Sequence, residues 1–173
     1  MKKLIVIRHL ESGKNDFPIP DSEEVFWQVL QKRIDPKELG SCVFLSSNAA
    51  RTFGTLFFFA SYAKRYNFTI TAKNCLYCKD ENTLEDFEKI YQLIQDESEN
   101  TDTVVICTHA EYTGGLVDYF KDRNANKELR KDYVAGRCIG KGQIIIYDIE
   151  KNTTVLVGPT DTDIADFPEY QSL

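Results

Sequence analysis

The chain is predicted to be an α/β protein of three layers, a mostly parallel central sheet flanked by helices and closed by a C-terminal hairpin, and three observations carry that prediction. Short apolar, β-branched runs alternate with longer segments of helical spacing, giving the order βαβαβαβα. The runs themselves are nearly continuous in apolar residues, as strands covered on both faces must be. Two last runs, split by the polar segment Asp148 to Asn152, read as a hairpin.

The elements follow in order. Leu4-Ile5-Val6-Ile7 places a strand at 3–7, and the polar, proline-marked stretch from Leu10 to Pro20 is a long loop leaving its end. Asp21 with Glu24 is an N-cap pair before Val25, Phe26, Val29 and Leu30, which share one helix face until Pro36 and Gly40 close the helix. A strand at 42–46 leads into a helix of about 48–65, in which Phe57, Phe58 and Phe59 read as core. A short strand covers Phe68 to Thr71. Thr83 and Asp86 cap a helix carrying Leu84, Phe87, Ile90, Tyr91 and Ile94. A strand at 103–107 precedes a helix holding Leu116, Val117 and Phe120, and the charged segment Lys121 to Asp132 reads as a solvated helical or loop insertion. Strands at 143–147 and 153–157 form the hairpin.

Composition narrows the function. At 173 residues and 42% hydrophobic, the expectation is one domain over 1–173 with a sizeable core. A net charge of -6 argues against non-specific nucleic-acid binding, which needs a basic face to displace phosphate counterions. Any positive site must be local. Only four aliphatic residues separate Lys3 from Arg8, too few for a signal core, and no run approaches the ~20 apolar residues that span a membrane. A cytoplasmic protein without membrane partners is expected, and its five cysteines fit reduced thiols. Cys75 and Cys78 have CxxC spacing but lack the second pair of a zinc site and the strand–helix setting of a redox site.

Both histidines of the chain directly follow apolar strands: Leu4-Ile5-Val6-Ile7-Arg8-His9, and Val104-Val105-Ile106-Cys107-Thr108-His109. Open α/β sheets bind ligands at the edge where parallel strands end. Cys42 to Ser47 has the same grammar and delivers Arg51 just past a strand, in the first turn of a helix. Arg8, His9, Arg51 and His109 therefore point to one anion-binding pocket. Other phosphate-handling patterns fail: Gly136 to Gly142 breaks the P-loop spacing, no cysteine is followed by five residues and an arginine, and Asp161-Thr162-Asp163 has only ten residues after it.

These residues resemble the histidine phosphatase superfamily, whose fold is called phosphoglycerate mutase-like. Leu4 to Asn15, LIVIRHLESGKN, is similar to its strand-RHG-E-T/S-x-x-N opening. Ser46-Ser47-Asn48-Ala49-Ala50-Arg51-Thr52 resembles its S-S-P-x-x-R-T/A segment, and VVICTH its second strand ending in histidine. The motifs come in family order, and the short chain is most similar to the small phosphohistidine phosphatase branch.

The resemblance implies a metal-independent phosphatase, without cofactor, acting on a phosphorylated small molecule or on phosphohistidine in a protein. His9 would be the nucleophile, Arg8 and Arg51 would grip the phosphoryl oxygens, and His109 would add a donor. Asn15 matches the family's phosphate-loop asparagine. The general acid is expected at Glu81 or Asp80 after the third strand, with Glu111 as an alternative that would also contact substrate. Two departures stand out. Leu10 replaces the family's glycine, which is expected to restrict the backbone and add bulk beside the phosphate, and Ala110-Glu111-Tyr112-Thr113 lacks the usual segment after the second histidine. Leu10 also motivates a rival reading, a catalytically silent phosphate-binding module of the same fold. A phosphomutase is disfavoured, since there is little insertion to hold and reorient a bisphosphate.

Overall fold

A computed structural model describes residues 1–63, 68–77, 82–133 and 139–158. Its strands are β1 (Lys3–Arg8), β2 (Cys42–Ser46), β3 (Ile70–Ala72), β4 (Thr103–Thr108), β5 (Ile144–Asp148) and β6 (Thr153–Val157). Its long helices are α1 (Pro20–Arg33), α2 (Ala50–Tyr62), α3 (Leu84–Glu97) and α4 (Ala110–Asn124). The strands form one sheet in the order β3-β2-β4-β1-β5-β6. The first four run parallel, while β5 pairs antiparallel with β1 and β6 antiparallel with β5. The predicted three-layer, mostly parallel sheet with a terminal hairpin is what forms.

Alternation along each strand sorts the core into two layers. Leu4 and Val6, with Leu45, Val104 and Ile106, face α3 and α4 through Phe87, Ile90, Leu116 and Phe120. Ile5 and Ile7, with Phe44, Val105 and Cys107, face α1 and α2 through Phe26, Leu30, Leu56 and Phe59. Each of these side chains is almost wholly buried, a gain of about 1.5–3 kcal/mol apiece for the large aliphatic and aromatic ones. Such burial on both faces is why the strands read as unbroken apolar runs.

Some local expectations need correction. Helix α1 begins at Pro20 with Ile19 at the N-cap, so Asp21 lies inside the first turn instead of capping it. There the proline supplies the helical φ, and Asp21 complements the helix dipole. The third strand is Ile70–Ala72, later than placed, because its pairing with Phe44 to Ser46 of β2 sets its limits. Of the three consecutive phenylalanines, Phe59 is buried, Phe58 is half-buried and Phe57 is exposed, since three successive residues cannot share one helix face. The Thr83–Asp86 capping box forms as expected. Cys75 sits in a short 3₁₀ turn, while Cys78, residues 136–138 at the start of the glycine-rich stretch and Asp161 to Asp163 lie outside the described residues.

Candidate active site

β1 and β4 are adjacent and in register, Arg8 opposite Thr108, so the residues that follow them emerge together at the carboxyl edge of the sheet. The His9 N–H donates to the Thr108 carbonyl at 3.1 Å, extending the ladder by one step. The His9 and His109 rings end with centroids 5.2 Å apart, tilted by 60°. One hundred residues of chain are thus closed into a single site by one strand pairing.

Each imidazole has a defined tautomer, because its partners leave one choice. His9 Nδ1 lies 2.7 Å from the Leu10 carbonyl, which can only accept, so Nδ1 carries the proton and Nε2 keeps its lone pair. His109 Nδ1 lies 3.3 Å from Arg51 Nη2, which can only donate, so in the neutral ring the proton is on Nε2. Nε2–H then donates to Ser47 Oγ at 2.7 Å, Ser47 to Thr52 Oγ1 at 2.8 Å, and Thr52 to the Ala49 carbonyl at 2.7 Å. This buried hydroxyl chain fixes the second histidine. Burial, with the charges of Arg51, Arg8 and Lys141, holds His9 below the usual histidine range, against the opposing Leu10 carbonyl. Burial, with Arg51 and His9, pushes His109 down to about 3. Both rings are neutral at pH 7.

Arg51 stands at the second position of α2, and His109 is the N-cap residue of α4. Neither helix has a side-chain cap, so the first-turn amides and the positive ends of two dipoles face the same region. Arg8 donates from Nη1 to the Ile139 carbonyl at 2.6 Å, while its buried Nε has no partner among the described residues. An unpaired buried N–H beside two histidines and a second arginine suits an anion. The Gly142 N–H bonds the Arg8 carbonyl at 3.1 Å with φ 75°, so the segment before β5 folds over the end of β1.

Of the residues anticipated from sequence, Arg8, His9, Arg51 and His109 come together here. Asn15 does not join them. It is exposed, and its Oδ1 accepts from the Phe17 N–H at 3.4 Å, holding its own turn. Glu111 lies exposed in the first turn of α4, and among the described residues its side chain bonds neither histidine. Asp80 and Glu81 fall outside the described residues. The expectation for Leu10 is corrected: its side chain is 2% exposed, packs in the core with Phe26, and its φ is not positive. The Leu10 N–H donates to Thr55 Oγ1 of α2, and without a positive φ the position does not demand glycine.

Sequence reading missed three participants. Asp16 forms an ion pair with Arg51 Nη1. Tyr77 packs edge-on against His109 at 4.8 Å, carried there by the 3₁₀ turn whose Leu76 carbonyl accepts from Thr108 Oγ1. Ile139 supplies the carbonyl on Arg8. Only turn composition marked the first in sequence, and nothing marked the other two, since each contact joins segments distant along the chain.

No family model and no curated protein sequence matches the chain. Solved structures do. The protein histidine phosphatase SixA complexed with tungstate aligns with TM-score 0.59 at 13% identity, covering 91% of this chain and 97% of that one. The alpha-ribazole phosphatase of Shigella flexneri aligns with TM-score 0.54 at 12% identity over 91% and 96%. A phosphoglycerate mutase of Plasmodium falciparum aligns with TM-score 0.50 at 16% identity over 90% and 87%. Sheet order and these alignments agree, and the chain has the phosphoglycerate mutase-like fold that these structures share.

Proposed function

We propose that the protein is a phosphatase that forms a covalent phosphohistidine on His9, acting on a phosphate ester or on phosphohistidine. The observation that carries this reading is the state of His9: a neutral ring, Nδ1–H tied to the Leu10 carbonyl, and Nε2 unprotonated beside His109. That is the form an imidazole nucleophile requires. Nε2 attacks phosphorus, the N–P bond forms as the bond to the leaving atom breaks, and water later cleaves N–P to return the lone pair. Arg8 and Arg51 hold the phosphoryl oxygens with guanidinium forks. A phosphoryl oxygen at Arg51 displaces its bond to His109; Ser47 then donates to Nε2, and the His109 proton moves to Nδ1 to face the oxygen. The leaving group takes its proton from Glu81, Asp80 or Glu111, or in a phosphoamidate needs little help. That a SixA structure is described with tungstate, an oxyanion, supports an oxyanion site on this fold.

The test is trapping. Wild-type protein quenched during turnover of a labelled aryl phosphate gives an acid-labile, base-stable phosphoprotein, and His9→Ala gives neither label nor turnover while keeping its melting temperature. Full activity in His9→Ala would overturn the mechanism.

A further inference from the structure

Resting on that reading of the pocket, we infer that Asp16 is an internal competitor for the oxyanion seat at Arg51, presented by a closed loop, which a phosphoryl group must displace to bind. The Asp16 carboxylate pairs with Nη1 of the guanidinium whose Nη2 reaches His109, so it lies one nitrogen away from the histidine pair. A carboxylate and a phosphoryl dianion cannot both hold that guanidinium without repelling each other.

The loop is built to put the carboxylate there. Ser12 and Pro18 pair as an isolated bridge, the Gly13 N–H bonds the Phe17 carbonyl at 3.0 Å, and the Asp16 N–H bonds the Gly13 carbonyl at 3.1 Å. Asp16 sits at the turn with φ 61°, a left-handed conformation that aspartate tolerates better than most residues. The loop rests on α2 at Gly54, three residues after Arg51 and so on the same helix face. A Cβ at 54 would lie 2.8 Å from Pro18 Cδ, so glycine is what lets Pro18 approach. Gly54 weakens an otherwise continuous helix, and in exchange the loop comes within reach of Arg51.

The contact is strong enough to compete and open enough to yield. Arg51 is largely covered, but the Asp16 side chain is 41% exposed and swings into water without stranding a buried charge. Inorganic phosphate, with no other contacts to offset the displacement, is held weakly. A substrate with an organic part makes additional contacts and is not. Asp16 thereby favours release of the phosphate product and discriminates against small free oxyanions.

The experiment is calorimetric titration of inorganic phosphate into wild type, Asp16→Asn, Asp16→Gly, Arg51→Ala and the Asp16→Asn/Arg51→Ala double variant, each confirmed folded by circular dichroism. Asparagine and glycine both suit a positive φ, so these variants keep the turn. Phosphate affinity is expected to rise about tenfold in both Asp16 variants, to fall at least tenfold in Arg51→Ala, and to show no Asp16→Asn gain once Arg51 is gone. Unchanged or weaker binding in the Asp16 variants, with wild type binding through Arg51, overturns the competitor role and makes Asp16 a positioning residue. No phosphate binding by wild type or either Asp16 variant overturns the pocket reading itself.

Discussion

At the scale of single residues, Leu10 departs from the motif and puts its side chain into the core. Its side chain packs beside Phe26 and lies against Gly142, where a Cβ would approach Leu10 Cδ2 to 2.9 Å. Introducing the glycine of the motif it resembles, with Leu10→Gly, should leave aryl phosphate turnover within about twofold but cost about 3–5 kcal/mol, by analogy with other large core truncations and the added backbone freedom of glycine. Urea denaturation and steady-state assay of the same preparation check both halves. The arginines make a second prediction. In the proposed mechanism, charge on the transferring phosphoryl is met by the guanidinium groups of Arg8 and Arg51, and phosphoryl transfer needs mainly positioning and such electrostatics. Activity should survive exhaustive dialysis against EDTA with metal content verified by elemental analysis; activity lost and restored by zinc or magnesium would contradict it.

At the scale of elements, the site depends on how helices are allowed to approach their neighbours. In α4, Gly115 faces the 3₁₀ turn Lys131–Tyr133, and a Cβ there would lie 2.2 Å from the Tyr133 backbone carbonyl. A helix interior would ordinarily gain about 1 kcal/mol from alanine over glycine. Here overlap with backbone outweighs that gain, so Gly115→Ala should destabilise by about 2 kcal/mol net. The thermal midpoint checks the sign, since a rise would mean that the turn is free to move. Tyr133 also donates to Asp122 of α4 at 2.8 Å, so the displaced turn would lose a hydrogen bond with its packing. Because His109 is the N-cap residue of α4, the same variant should lower turnover modestly while leaving the His9 side of the pocket in place.

Across the whole molecule, burying two neutral histidines ties stability to pH. His109 goes from the ordinary 6.5 unfolded to about 3 folded, and His9 is lowered in the same direction. Below 6.5 the unfolded chain binds protons that the folded protein refuses, so stability is complete above 6.5 and falls as pH drops toward the folded values. Carboxylates add a second, more acidic window. Arg123, then Tyr119, hold Glu88 at about 2 against an ordinary 4.5, and that contribution is lost only as pH falls below 4.5. The decline from pH 6.5 to 5 therefore belongs to the histidines, and His109→Gln should flatten it in denaturant titrations at the two pH values. Activity should follow the same direction: with neutral His9 as the proposed nucleophile, the acid limb of the rate profile should lie below 6.5, with a plateau through neutrality.

The sequence by itself determined the layered sheet, because strands buried on two faces must be apolar throughout, and Leu4 to Ile7, Val43 to Leu45 and Val104 to Cys107 can be nothing else. It also determined Arg8, His9, Arg51 and His109, because a residue directly after a parallel strand, or in the first turn of the next helix, has its position fixed by that strand. Residues farther out along the loops were not legible. Asn15 and Asp16 are neighbours in a polar turn, yet the turn's closure and its rest on Gly54 send the second to Arg51 and leave the first in solvent. Ser47 differs in kind: its place in the motif was visible, but its bond to His109 required β2 and β4 to lie side by side. Tyr77 and Ile139 reach the site through the Thr108–Leu76 and Arg8–Ile139 hydrogen bonds, each joining segments more than thirty residues apart. Local pattern fixes what a strand end presents, whereas long-range packing alone decides which loop groups meet it, since loop direction is set by contacts that no local period encodes.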